Sequence, residues 1–347
     1  MVTIEKHSAK NKIRVLGIYS DGVIPEDNKA DFESRMDDDT TTAIQIALVD
    51  KGYDFIGWIP AKDGFVEEII RRSGTFDVVF NLADEGINLN TQFEPNIVAF
   101  LDLLGIKYTG CSHISLTNCL DKVLTKRILK SCGIPTPEFE VFDDEIAFLP
   151  EISLKFPVIV KPSKEDGSMG IREDSVIHSP DRLKDKINQI AKKYKQPVLV
   201  EEFIEGREMN VGVLGNKHPM SLPVSEIIFN LPSNKIHFLP YSAKWNKGAV
   251  YEIGTVANCP ADINAALESR LRKISLKCYL LMGLDSYGRV DFRIDEDGNP
   301  FVLEVNPNPD ISPDAGLANM ARKSGMDYPE LLDKIVRQAL GDDVFHK

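Results

Sequence analysis

The stretch Tyr287 to Pro309, YGRVDFRIDEDGNPFVLEVNPNP, places acidic, amide and cationic side chains at spacings that suit metal chemistry. Two β-rich runs, RVDFRI and FVLEVN, flank DEDGN, whose Asp-Gly pair favours a two-residue type I′ hairpin turn. With Asp297-Gly298 as that turn, Asp291 faces Glu304 and Arg289 faces Asn306. Opposed side chains share a sheet face, as do residues two apart on one strand, so these groups converge. Two carboxylates opposed at about 5 Å destabilise a sheet. A hard divalent cation removes the repulsion, and ligation by carboxylates and an amide suits Mg²⁺, which also takes oxygens from substrate phosphates. The alternative is a solvated face without a ligand. Against it, the other face (Val290, Phe292, Ile294; Phe301, Leu303, Val305) is apolar enough to pack on a core.

An aspartate, twelve intervening residues, then Glu-x-Asn, with an arginine two residues upstream, resembles the metal-binding hairpin of the ATP-grasp ligases. The D-alanine–D-alanine ligase branch is the nearest likeness. Other pieces follow in the same order. FPVIVKPSKEDGSMGI reads as a strand, a Lys-Pro step, and a loop carrying Gly167, Ser168 and Gly170. Glycines let backbone amides approach phosphate oxygens, and successive free amides form an anion nest. Lys161 adds a compact charge that keeps its proton beside phosphates. A lone GxxG is weak, but the whole segment matches the family's phosphate-covering loop without a gap. Gly167 stands where the family has a serine.

Taken alone, Lys122, Glu201 and Glu208 read as solvated surface charges. The resemblance implies otherwise. Asp121-Lys122 opens a helix, and the family's lysine there contacts nucleotide phosphates. Glu201 and Glu208 match glutamates at the adenine amino group and the ribose hydroxyls, with backbone near Phe203 and Ile204 on the adenine edge; a carboxylate suits a ribose diol because it accepts from both hydroxyls. Lys244 matches a loop lysine that reaches the terminal phosphate, and Trp245 follows it where the family has tyrosine.

The implied cofactors are ATP and two Mg²⁺ held by Asp291, Glu304 and Asn306, with Mn²⁺ as a substitute. The implied reaction is an ADP-forming ligation of a small-molecule carboxylate and an amine through an acyl phosphate, with Arg289 and Lys244 as the catalytic cations. Substrate-side positions diverge: Gly167, Trp245 and Ala315 replace hydrogen-bonding residues, so poor D-alanyl-D-alanine synthesis and another amino acid or peptide substrate are expected. Asp310 and Asp314 suggest a cationic acceptor. Alternative readings are a true D-alanine–D-alanine ligase, another ATP-grasp enzyme such as a carboxylate kinase, or a catalytically silent ATP-binding regulator. Related ligases are commonly homodimers.

Around these residues the chain reads as α/β. Strands at IRVLGIY, YDFIGWIP, FDVVFNLA and IKYTG alternate with helices at TTTAIQIALVDKG and FEPNIVAFLDLLGI, which implies a parallel sheet covered by helices. Residues 1–120 form an N-terminal substrate domain, 121–204 a central ATP-grasp subdomain, and 205–347 a C-terminal subdomain with the metal hairpin. Asn81, Asp84 and Glu85 follow a strand and are candidates to line a cleft. The acidic stretch Ser20–Asp39 is loop-like, and no residue in it is assigned to a substrate amine. KIHFLPYSAKWNKGAV suggests a strand and a mobile loop, and Pro260-Ala261-Asp262 a capping box.

Composition excludes several classes. With 347 residues and a net charge of −12, the chain lacks the basic surface that nucleic acid or anionic membranes attract. No GxGxxG follows the first strand, and no GxxxxGK[ST] occurs, so Rossmann and P-loop readings have no support. No apolar run reaches the ~18 residues of a membrane span. Five cysteines without a CxxC pair fit reduced thiols in a cytoplasmic protein.

Overall fold

The structure, a computed structural model, describes residues 12–21 and 38–345. Most of the Ser20–Asp39 stretch therefore lies outside the described residues.

The first sheet is parallel: β1 (Arg14–Ser20) lies between β2 (Asp54–Ala61) and β3 (Val78–Leu82). Val15, Leu16 and Ile18 are fully buried because helices cover both faces. Those helices are Asp38–Asp50, Phe65–Arg72 and Glu94–Leu103. IKYTG forms no strand; it makes a single bridge, Val79 to Tyr108. Asn81 does not line a cleft. It is 2% exposed, and its Oδ1 accepts from the Ala83 amide.

The second sheet is antiparallel, in the order β4 (Phe139–Phe142), β7 (Val198–Glu202), β5 (Val158–Pro162), β6 (Val176–Ile177). The amphipathic helix Leu183–Tyr194 covers it through Leu183, Ile187 and Ile190.

The third sheet carries the hairpin. Its order is β11 (Thr255–Asn258), β10 (Ser225–Phe229), β8 (Arg207–Leu214), β12 (Tyr287–Ile294), β13 (Pro300–Asn306), with β9 (Met220–Ser221) beside β8. The helix Ala265–Leu281 supports one face, burying Leu271, Cys278 and Tyr279 with Val290 and Phe292. Its cap is Asn264, whose side chain accepts from Leu267 N at 2.9 Å, and not a box at residues 260–262. Residues 235–239 form no strand; Tyr241–Trp245 and Val250–Gly254 are short helices. The closing helices, Gly316–Lys323 and Tyr328–Leu340, return to the first sheet, where Leu332 and Ile335 share a core with Val15, Ile44 and Leu48.

The hairpin differs from the expected two-residue turn. Residues 295–299 form the connection, with Gly298 N donating to Asp295 O at 3.0 Å and Asn299 N to Asp295 Oδ1 at 2.7 Å. An aspartate side chain that captures a nearby amide favours this longer loop. A register shift between Asp291 and Phe292 then restores the expected opposition: Asp291 pairs with Glu304 and Arg289 with Asn306. Beyond the shift Val302, not Phe301 or Leu303, is the fully buried residue, and Leu303 faces the cleft.

Candidate active site

A transverse row crosses the third sheet. Ser225 pairs with Asn210, Asn210 with Asp291, and Asp291 with Glu304. One step along the strands Glu208 pairs with Arg293; one step the other way Arg289 pairs with Asn306. These rows, Asn306 apart, floor a cleft of about 260 Å³ whose opposite wall includes Ile159, Lys161 and Glu201 of the second sheet; Asn306 lines a small adjoining cavity with Glu304 and Lys122. Asp291 and Glu304 therefore share both a face and a cavity.

The carboxylate pair is already surrounded by cations. Arg289 grips Asp291, Nε to Oδ1 at 2.7 Å and Nη2 to Oδ2 at 2.8 Å. Lys122 Nζ lies 3.7 Å from Glu304 Oε2. The pair is thus tolerated by protein cations, without requiring a bound metal. Burial pushes the Glu304 carboxyl up, but Lys122, Lys244, Lys161 and Arg289 more than offset it and hold it down at about 2. Asp291 is raised, because burial outweighs its arginine. Among the described residues no group of three or more His, Cys, Asp or Glu is gathered for a metal. The donor set is two carboxylates and the Asn306 amide, which fits an ion completed by water and phosphate oxygens.

At the other end of the cleft Arg293, absent from the sequence reading, organises the wall. It is 3% exposed. Its Nη1 reaches Glu208 at 3.1 Å and His237 O at 2.9 Å; its Nε reaches Ile204 O at 2.8 Å. Its guanidinium lies 5.2 Å from the Phe203 ring centre. The alternation Arg289, Asp291, Arg293 carried the signal. Asn210 was missed likewise; its Oδ1 is buried in the cleft floor without a hydrogen-bond partner among the described residues. Burial raises the Glu208 carboxyl despite Arg293.

Glu201 lines the cleft beside Phe203 and Ile204. It is 2% exposed and clamped by Lys126 at 2.6 Å and Lys161 at 2.5 Å. Burial depresses Lys126, itself fully buried, to about 8. Lys126 also donates to Thr136 Oγ1, which donates to Val302 O.

The glycine loop is closed on itself. Gly167 N donates to Asp166 Oδ1 at 2.7 Å, Met169 N to Asp166 O and Ile171 N to Ser168 O at 3.0 Å. The expected run of free amides is therefore partly used by Asp166, whose short side chain bonds local backbone. Gly167 and Gly170 have φ of 60° and 77°, and Ser168 shares the left-handed region at 63°. Trp245 Nε1 donates to Gly167 O at 2.9 Å, tying the segment that carries Lys244 to this loop. Ala315 caps the helix Gly316–Lys323 without a side-chain bond. Asp310 is exposed and accepts from Ser312 N within its own loop.

Two antiparallel sheets that enclose a cleft, one bearing an Arg-x-Asp and Glu-x-Asn hairpin, define the ATP-grasp class. The family described as D-ala D-ala ligase C-terminus matches residues 128–337. The D-alanine–D-alanine ligase of Aquifex aeolicus is 36% identical over 70% of this chain and 77% of its own. Uncharacterized protein y4sG of Sinorhizobium fredii is 35% identical over 81% of this chain and 77% of its own. The Bacillus anthracis D-alanine–D-alanine ligase complexed with ATP shares the fold, with a TM-score of 0.72 at 23% identity over 94% of this chain and 97% of its own. The chain belongs to the D-alanine–D-alanine ligase family, whose members are ATP-dependent, amide-forming ligases.

Proposed function

We propose that the protein joins an amino-acid or peptide carboxylate to an amine, converting ATP to ADP and phosphate, and makes D-alanyl-D-alanine poorly. The observation that carries this reading is the opposition of Asp291 and Glu304 on the cleft floor, beside Arg289 and Lys122.

In this account adenine lies against Phe203 and Ile204. Phe203 N and Ile204 O are occupied, by Pro157 O and Arg293, which leaves the Phe203 carbonyl and Ile204 amide to pair with the base edge. Glu208, steadied by Arg293, accepts from the ribose. Lys122, Lys161, Lys244 and the 167–170 loop neutralise the triphosphate. Asp291, Glu304 and Asn306 would hold two Mg²⁺, or Mn²⁺, which supply charge neutralisation at the β- and γ-phosphates. A carboxylate oxygen of the donor attacks the γ-phosphorus; the bond to the β-bridging oxygen breaks and ADP leaves. The amine nitrogen then adds to the acyl carbon, loses a proton, and expels inorganic phosphate. Arg289 faces the negative charge that builds in both transition states. Glu201 acts indirectly, by fixing Lys161.

Weak D-alanine synthesis follows from Ala315. Its methyl cannot donate to an incoming carboxylate, and such a bond to a charged group is worth about 1.5–3 kcal/mol.

The test is ADP release with Mg²⁺ across a grid of amino-acid carboxylates and amines, followed by the reaction of an ¹⁸O-labelled donor carboxylate. One labelled oxygen should appear in the released phosphate for each amide formed. ADP release without transfer of label would overturn the acyl-phosphate route. Turnover highest with D-alanine alone would overturn the substrate assignment.

A further inference from the structure

Asn210 is a polar residue in the middle of β8, the strand that β10 and β12 flank. Asparagine is disfavoured at such positions, where β-branched residues pack better. It stands directly opposite Asp291 and lines the same cleft, with Glu208 two residues away on the same face. Asn210, Asp291 and Glu304 thus form three neighbouring places in one row across β8, β12 and β13. The Asn210 Oδ1 is buried and takes no hydrogen bond among the described residues. An unsatisfied buried acceptor forfeits its hydration with nothing in exchange. An apolar side chain there would spare the free protein that cost, so the carboxamide points to a partner that arrives with the ligands. A half-turn of the carboxamide about its last torsion, which is soft for an sp³–sp² bond, presents the oxygen to the cleft.

We infer that Asn210 accepts a hydrogen bond from a water molecule on the Mg²⁺ held at Asp291, and so positions that ion for the nucleotide. This rests on the metal–nucleotide reading above. The partner of Oδ1 must be a donor, which excludes phosphate oxygens. In that reading the base edge is met at Phe203 and Ile204, and the ribose hydroxyls at Glu208, two residues back along the strand. Mg²⁺ usually keeps several of its waters, and those waters need acceptors around the site. The oxygens of Asp291 and Glu304 serve the ion itself, and Asn210 supplies the next oxygen along the row. Lys244 is the rival donor, since its charge reaches Glu208, Asp291 and Glu304. A lysine partner would act with or without metal, and that difference is measurable.

The experiment is calorimetry of the full chain with a non-hydrolysable ATP analogue, as Mg²⁺ is raised from none to saturation, for wild type, Asn210→Leu and Asn210→Asp. The Mg²⁺ concentration that half-saturates nucleotide binding should rise about 10- to 100-fold in Asn210→Leu, the usual cost of removing an outer partner of a metal site. Its affinity for the analogue without Mg²⁺ should match that of the wild type. Asn210→Asp, which keeps the acceptor and adds charge, should need no more Mg²⁺ than the wild type. Asn210→Ala, which adds no bulk, takes the place of Asn210→Leu if the leucine protein is unstable. Unchanged Mg²⁺ dependence in Asn210→Leu, an equal loss of affinity with and without Mg²⁺, or a raised Mg²⁺ requirement in Asn210→Asp overturns the inference. In each of those outcomes the wild type still responds to Mg²⁺, and the metal–nucleotide reading stands. A wild type that binds the analogue equally well with and without Mg²⁺ overturns both.

Discussion

Arg289 holds Asp291 through two hydrogen bonds, at 2.7 and 2.8 Å, while Asp291 stands directly opposite Glu304. The guanidinium thus offsets the Asp291 charge in the free protein, as a bound divalent ion would. In the proposed reading Asp291, Glu304 and Asn306 would hold Mg²⁺, which would supply that charge and let Arg289 serve the reacting phosphoryl group. Arg289→Lys loses the planar two-bond geometry. Its kcat should fall about 100- to 1000-fold, with nucleotide affinity little changed. Steady-state ADP release checks this, and an unaltered kcat would contradict it.

Glu304 predicts an acid limb in stability. Its folded carboxyl sits at about 2, against an ordinary value of 4.5. A depressed carboxyl contributes stability that is complete above the unfolded value and disappears as pH falls through the folded one. Between pH 4.5 and about 2 the metal-free protein should lose on the order of 2 kcal/mol from this group. Denaturant unfolding of wild type and Glu304→Gln across that range should show the slope in the former and a flatter profile in the latter.

The buried triad Lys126–Glu201–Lys161 predicts non-additive stability. Glu201→Gln strands two buried ammonium groups and should cost about 3–5 kcal/mol. Adding Lys126→Met to that variant should recover part of the loss, because Lys126 is the cation that burial penalises toward about 8. Additive losses in a double-mutant cycle would show that the three groups do not act as a unit.

Ala315 sits at the N-cap of Gly316–Lys323 with no side-chain bond to the helix. Ala315→Ser should stabilise the fold by about 1 kcal/mol as a new cap. It should also raise D-alanine-dependent ADP release, because a hydroxyl returns to the acceptor side. Thermal unfolding and the ADP assay separate the two effects.

Local periodicity made much of this site legible. Alternation in RVDFRI and FVLEVN put Arg289, Asp291, Glu304 and Asn306 on one face, and the expected pairs form. That success came through two compensating departures, a longer turn captured by Asp295 and a shift that exposes Leu303 to the cleft. The same alternation extends to Arg293 and, in β8, from Glu208 to Asn210, so these were within reach of the sequence. What spacing does not encode is contact across sheets. Glu94 meets Asn308 from 214 residues away, and Lys126, on what reads as an ordinary amphipathic helix, is fully buried against Glu201. The closed glycine loop was hidden for another reason: Asp166 competes for amides that glycine content alone suggests are free.

The most direct test is calorimetric binding of a non-hydrolysable ATP analogue as Mg²⁺ is varied, for wild type and Glu304→Gln. Wild type should bind the nucleotide more tightly as Mg²⁺ rises, and Glu304→Gln should lose most of that dependence. Equal Mg²⁺ dependence in the two proteins would contradict the assignment of the β12–β13 face as the metal–nucleotide site.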